Sequence, residues 1–270
     1  MLQVPRGNGS PSVRGALTFR PVTSLGMPSL PPPADPVWKQ AWDAALYGAS
    51  GYLRSYPMTA SVDAATLEPL IDSLAPPGTE LALLGSAGAL APDLSALGRV
   101  VRFDVPEGYD GLVVALDWLS HVPTHVVQMD PEGYPRLVHV SPRTGHETLG
   151  ARLNETSVPQ SIGRWLEQWW PVVDFGPGAR AEVGTSRDTA WAGVTSRLAP
   201  RGRAVAIDAG HSLGQRPRSG SLRSSDGPAI PDGSRDLTAA VALDAVAAAT
   251  SGRSGAAAQL TYVTSEGSRH

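Results

Sequence analysis

The chain contains no cysteine, which excludes disulfides, thiolate metal sites and cysteine nucleophiles together. It also lacks an excess of basic charge: 22 Lys and Arg against 25 Asp and Glu leave a net charge of −3 over 270 residues. A chain with no basic field cannot hold phosphate backbones by attraction, so nucleic acid is not an expected partner. No apolar run approaches the roughly 18 residues that cross a bilayer, and the first residues lack the continuous apolar segment of a secretory signal. A cytoplasmic protein without membrane association is expected. Absent too are a G-x-G-x-x-G turn after a strand and a G-x-x-x-x-G-K-[ST] loop. Their absence disfavours nicotinamide and nucleoside triphosphate chemistry.

Six histidines are present, at 121, 125, 139, 146, 211 and 270. Only His121 and His125 have a ligand-like spacing, and Pro123 between them argues against the helix that would bring them to one face. No metal is expected. "GHS" at Gly210 to Ser212 lacks the context of a hydrolase nucleophile.

With 41% hydrophobic and 17% charged residues, the chain can build one sizeable core. Residues 1–35 hold seven prolines and no sustained periodicity, and are expected to form a loosely ordered leader. A single domain then covers 36–270, with N-terminal helices over 36–78. Asp35-Pro36 reads as a helix start, followed by Trp38, Ala41, Trp42 and Ala45 at helical spacing until Gly48 and Gly51. Leu67, Leu70, Ile71 and Leu74 mark a second helix, ended by Pro76-Pro77-Gly78.

Beyond that break the texture is α/β. "ELALLG", "RVVRFDV" and "LVVAL" read as strands, "ALAPDLSALG" as a helix between them, and "GRAVAID" as a later buried strand. "THVVQMDPEGYPRLVHV" reads as an inserted hairpin over 124–140 around Asp130-Pro131-Glu132-Gly133. Ile162, Trp165, Leu166 and Trp169 give an amphipathic helix, "ARAEV" a strand, and Ser186 a cap for a helix through Leu198. A polar loop covers 210–235, Asp236 caps "LTAAVALDAVAAA", and a short strand lies near "AQLTYV". The pattern predicts a Rossmann-like, doubly wound, mostly parallel sheet.

Asp104, Asp117 and Asp208 end three of these strands. Each can simply cap the next turn. Together they can also line a crevice at the strand ends, where a nucleoside cofactor needs a carboxylate for ribose and a glycine turn for close backbone approach. Gly85-Ser86-Ala87-Gly88 is the candidate turn, and Asp208 with His211 a candidate acid/base pair.

"ALYGASGYL", "LVVALDWLSHVPTHVV", "GARAEVG", "AVAIDAGH", "GSLRS" and "PDGSRDLTAAVALDA" occur in this order, which resembles the MidA-type class I S-adenosylmethionine-dependent methyltransferases, above all the actinobacterial members. The resemblance implies S-adenosylmethionine as cofactor, bound near Gly85, Gly88, Asp104, Leu116 and Asp117. It implies an acceptor pocket at Asp208, Gly210, Asp236 and Thr238, with Asp208 and His211 as catalytic candidates, and a protein arginine as acceptor. The chain departs from the family in its glycine-rich loop, in the lost H-F-x-T-S segment after "GYL", and in Ala240, which stands where the family has histidine. From Leu81 to Leu116 there is too little chain for three strands and two crossover helices. One strand or helix is therefore expected to be missing, and the antiparallel strands that end such a sheet are expected to be absent. The alternative is a degenerate, non-catalytic relative that binds or assembles proteins.

Overall fold

The computed structural model describes residues 35–257 and 260–267; the expected leader lies outside them apart from Asp35. The N-terminal helices are α1 (Trp38–Tyr47), α2 (Tyr52–Ser55) and α3 (Ala64–Leu74). Trp38, Ala41, Trp42, Ala45 and Leu46 form the buried stripe of α1. Its N-cap is Val37, with no side-chain cap, and not Asp35, because Pro36 and Val37 are held extended against the second sheet: Val140 N donates to Pro36 O (3.0 Å). Asp63 caps α3 by accepting from Thr66 N (2.8 Å), an interaction worth about 1 kcal/mol.

Three strands follow: β1 (Leu81–Gly85), β2 (Val101–Arg102) and β3 (Leu112–Leu116). A 3-10 turn over Ser86–Leu90 leads into α4 (Ala91–Ala96) between the first two. β3 is buried at all five positions, as a strand paired in parallel on both sides should be. No helix separates β2 from β3, so Asp104 follows the second of three strands, and it is the second crossover helix that the short spacing leaves out.

Where a hairpin was expected, a four-stranded antiparallel sheet is found. It contains β4 (His125–Met129), β5 (Pro135–Val140), β6 (Glu147–Arg152) and β7 (Arg180–Val183) in the order β6-β5-β4-β7. "ARAEV" thus belongs to this second sheet, with His125 opposite Val183. α5 (Gln160–Trp169) packs Ile162, Trp165 and Leu166 against it. Next comes α6 (Thr185–Thr195), whose Ser186 is not a cap but donates to Pro123 O (2.6 Å). The chain then re-enters the main sheet as β8 (Arg203–Ile207).

The polar loop contributes short strands: β9 (Gly210–His211), β10 (Arg223–Ser224), β11 (Leu237–Thr238) and β12 (Val241–Ala242). A helix from Asp236 onward is therefore overturned, and α7 covers only Leu243–Ala249. Tertiary partners override the alanine propensity here: Ala239 N donates to Ser120 O, Ala240 N to Ser221 Oγ and Val241 N to Ala209 O. The expected loss of terminal strands is also corrected, since β13 (Arg253–Ala257) and β14 (Leu260–Glu266) are antiparallel partners.

The main sheet runs β13-β14-β8-β3-β1-β2, with β2, β1, β3 and β8 parallel and β14 antiparallel to β8. Leu83, Val114 and Val205 face α3 and α4 through Leu67, Ile71 and Leu94. On the other face small residues, Ala82, Ala115 and Ala206, lie in a cluster with Trp191 of α6 and Val246 of α7. The fold is mixed α/β around a mostly parallel sheet. No helix among the described residues is long and apolar enough to cross a membrane.

Candidate functional site

The carboxyl ends of β1, β3 and β8 meet at one edge of the sheet. Gly85 leaves β1 at φ +64°, and a Cβ there would lie 2.4 Å from Leu116 O. Only glycine lets the first turn pass this close to the end of β3. Ser86 Oγ then donates to Leu116 O (3.1 Å) and to Asp117 Oδ2 (2.7 Å).

Asp117 itself has φ +50°, an uncommon conformation for a residue with a side chain. Its carboxylate also accepts from Ser61 N (3.0 Å) and Ser61 Oγ (2.9 Å). One acid thus joins the turn after β1 to the segment before α3. The Leu116 side chain lies in the core, so it can serve a ligand only through its backbone.

The turn Leu119–His121 is held from β8. Asp208, which is buried, accepts from Leu119 N (3.1 Å) and Ser120 N (2.9 Å). Burial pushes its pKa up to about 6, although these N–H groups favour the charged form. His121 Nδ1 lies 2.5 Å from Asp117 O and Nε2 lies 3.0 Å from Asp236 Oδ2. A carbonyl oxygen only accepts, so Nδ1 carries a proton. Burial is the largest influence and opposes charge on His121, yet the bond to Asp236, that acid's charge, the Asp117 contact and the charge of Asp208 together outweigh it and its pKa is raised. Asp236 Oδ1 is buried with no partner among the described residues.

Arg187 of α6 supports the same turn from below. It is fully buried and donates to Ser120 O (3.2 Å), Val122 O (3.3 Å) and Ala240 O (2.8 Å). Burial lowers its pKa to about 10, so it remains a cation at neutral pH. Above the turn lies a cleft of about 180 Å³, lined by Thr59, Ser61, Asp117, His121, Arg223, Asp236 and Thr238, among others.

Asp117, Asp236 and Thr238 are brought together in this cleft, with Asp208 beneath and Gly85 behind. Asp104 is not among its lining residues; it is exposed and forked by Arg102 Nε (3.0 Å) and NH2 (3.1 Å). Gly88 faces the ring of Phe103. Gly210 is wedged against Leu243, where a Cβ would come within 2.5 Å.

Asp208 and His211 do not pair. His211 Nδ1 takes Arg216 NH1 at 2.7 Å, and its ring meets Trp170 edge-on. Burial, with Arg216 beside it, lowers its pKa to about 4. Gly210 to Gly214 does spell G-x-S-x-G, but Ser212 has φ −106° and bonds Gln215, with no base in reach. His121 and His125 also part: His125 stands on β4, and burial lowers its pKa to about 4. Among the described residues no three acid or histidine side chains gather as a metal site.

Sequence reasoning missed Ser61 and Arg187, placed Ser86 in the candidate turn without giving its hydroxyl a role, and weighed His121 only as a zinc ligand. The distance in sequence is the reason: His121 and Asp236 are 115 residues apart.

No family model and no curated protein matches the sequence. Among solved structures, a COG1565 superfamily protein from Burkholderia thailandensis is similar with a TM-score of 0.59 at 20% identity, covering 80% of this chain and 70% of that one. A superfamily member from the same organism, inferred to be a methyl transferase and bound to S-adenosyl-homocysteine, has a TM-score of 0.59 at 19% identity, covering 80% and 71%. At such identities the likeness is one of fold.

Proposed function

We propose that the chain is an S-adenosylmethionine-dependent methyltransferase with a Rossmann-like, doubly wound sheet and an inserted antiparallel lobe, acting on a protein side chain. The observation that carries it is the crevice at the ends of β1, β3 and β8, in a sheet whose antiparallel β14 lies between β8 and β13. The solved neighbour that binds S-adenosyl-homocysteine supports it by fold. An arginine acceptor rests on the family resemblance alone.

The residues present fit the cofactor at the first turn. Gly85 and Ser86 bring backbone and hydroxyl to the end of β3. Asp117 uses three acceptor positions on Ser61 and Ser86, and a carboxylate offers about four. The two contacts from Ser61 are exposed, so displacing them costs roughly 1–3 kcal/mol, within reach of a micromolar ligand. Bound there, S-adenosylmethionine supplies an electrophilic methyl group on a sulfonium. The chain's part is positioning: Asp117 would orient the cofactor, Arg187 and Asp208 hold the Leu119–His121 turn, and Asp236 Oδ1 is a buried acceptor without a donor among the described residues. The His121 ring is held at both nitrogens, Nδ1 donating to Asp117 O and Nε2 facing Asp236 Oδ2. Asp104, engaged by Arg102, is left out of this site.

A second reading, a non-catalytic protein-binding relative, is favoured by one observation. The cleft of about 180 Å³ is smaller than the roughly 300–1,000 Å³ of ordinary ligand pockets. Calorimetric titration with S-adenosylmethionine and S-adenosylhomocysteine separates the two. Micromolar binding that Asp117→Ala weakens about tenfold, or roughly 1.4 kcal/mol, supports the enzyme. No heat at millimolar cofactor leaves the second reading.

A further inference from the structure

The ionisable side chains that line the cleft above the Leu119–His121 turn are Asp117, His121, Arg223 and Asp236. His121 and Asp236 face each other. Asp117 is held only by uncharged donors, from Ser61 and Ser86, and the Arg223 guanidinium meets no acceptor among the described residues. One anion and one cation are thus left without a counter-charge in one small cavity, and they do not bridge each other. We propose that this cleft takes the amino-acid end of the cofactor, with Asp117 receiving its ammonium group and Arg223 its carboxylate. The inference rests on the methyltransferase reading and deepens it: it says which end of the ligand lies here and adds Arg223 to the residues that hold it.

Acceptor capacity agrees. Asp117 Oδ2 takes Ser61 N (3.0 Å) and Ser86 Oγ (2.7 Å), which fills its two positions, whereas Oδ1 takes only Ser61 Oγ (2.9 Å). One position on Oδ1 is left for an ammonium N–H. Size agrees as well. A cavity of about 180 Å³ is too small for a whole nucleoside cofactor, since ordinary ligand pockets measure roughly 300–1,000 Å³. One end of such a ligand needs no more, and Thr59 and Thr238 add hydroxyl-bearing side chains to the wall. The nucleoside is then left to the turn at Gly85.

The backbone that carries Arg223 is fixed on both sides. Glu182, only 2% exposed, accepts from Ser221 N (2.9 Å), Ser221 Oγ (2.9 Å) and Leu222 N (3.3 Å). Ala240 N donates to Ser221 Oγ (3.0 Å), and Arg223 and Ser224 of β10 pair with Thr238 and Leu237 of β11. Burying a carboxylate is costly unless its hydrogen bonds are met, and those of Glu182 go to the two residues just before Arg223. A rigid backbone therefore holds a side chain whose head has no partner inside the chain. That head is a planar fork of N–H donors, the shape that matches a carboxylate.

Calorimetric titration of the full chain with three ligands tests it: S-adenosylhomocysteine, its decarboxylated analogue, which keeps the amine, and methylthioadenosine, which lacks the amino-acid end. Wild type should bind the first about tenfold more tightly than the second, the scale of one charge-assisted hydrogen bond. Arg223→Gln should weaken S-adenosylhomocysteine about tenfold and leave the other two unchanged. Asp117→Asn should weaken the first two and spare methylthioadenosine. Arg223 is exposed, so its variant should fold, and an unchanged Tm checks that. An Arg223→Gln chain that binds all three as wild type does, or that weakens all three alike, overturns the assignment while the methyltransferase reading stands. A wild type that binds none of them at millimolar concentration removes that reading, and this inference with it.

Discussion

The two ends of one sheet edge are built differently. At the β3 and β8 end, the Leu119–His121 turn is gripped from distant parts of the chain: Asp208 takes the N–H groups of Leu119 and Ser120, Arg187 the carbonyl of Ser120, Tyr47 the carbonyl of His121, and Asp236 the His121 ring. At the β1 and β2 end the second strand is two residues long, and its acid is satisfied by Arg102, two positions away. The first end is a buried network that fixes one geometry. The second is local and exposed, and fixes little beyond itself. Whatever chemistry the crevice does, its precision comes from the β3 and β8 side.

The contrast predicts a ranking of substitutions. Arg187→Leu should be the most damaging, because the carbonyls of Val122 and Ala240 lose their side-chain donor inside the core and Ser120 O is left with Ala239 N alone. At 1–3 kcal/mol for each buried unsatisfied group the loss is roughly 4 kcal/mol, or about 10 °C in Tm by calorimetry. A loss under 1 kcal/mol would erase the difference between the two ends. Gly85→Ala should follow at about 2–3 kcal/mol, since it adds a Cβ against Leu116 O at a positive φ. Denaturant titration gives the value.

Asp208→Asn sharpens the comparison through pH. The folded pKa of Asp208 is pushed up to about 6, above the unfolded value of roughly 3.9. The folded chain therefore binds this proton more tightly. Its contribution is full below about pH 4, falls as pH rises through about 6, and is flat beyond. The asparagine variant lacks that fall, so its penalty should be larger at pH 4 than at pH 7, by about 2 kcal/mol. Unfolding curves at both values check the sign. His121→Gln is the smallest of the series, about 1 kcal/mol. With the folded pKa of His121 raised by Asp236, its stabilisation is present below the unfolded value and lost as pH rises through the folded one. The variant should accordingly lose that slope in alkaline titration.

Period and composition made the core of this fold legible. "LALLG", "LVVAL" and the "AVAI" of β8 are uniformly apolar because each lies within the main sheet, and α5 showed its Trp165 stripe by spacing alone. "ARAEV" alternates apolar and charged residues and joins the other sheet, since a strand pattern does not state its partner. The alanines after Asp236 look helical and are not, because their N–H groups have partners far away in the chain. For the site, Asp117 and Asp208 were visible as acids at strand ends, and the sheet edge brings both to one turn. Arg187 was invisible: among 22 basic residues nothing local distinguishes a cation that will be buried under three carbonyls.

β14 occupies an interior position in the sheet, between β8 and β13, although it is the last strand among the described residues. During synthesis β8 can pair with β3 on one side as soon as it emerges, but its other side stays open while residues 208–259 follow. For that interval the ribosome carries a nascent chain with an apolar, unpaired interior strand. Such strands are where chaperones bind and misassembly starts, so the pace of translation over this stretch becomes a determinant of yield.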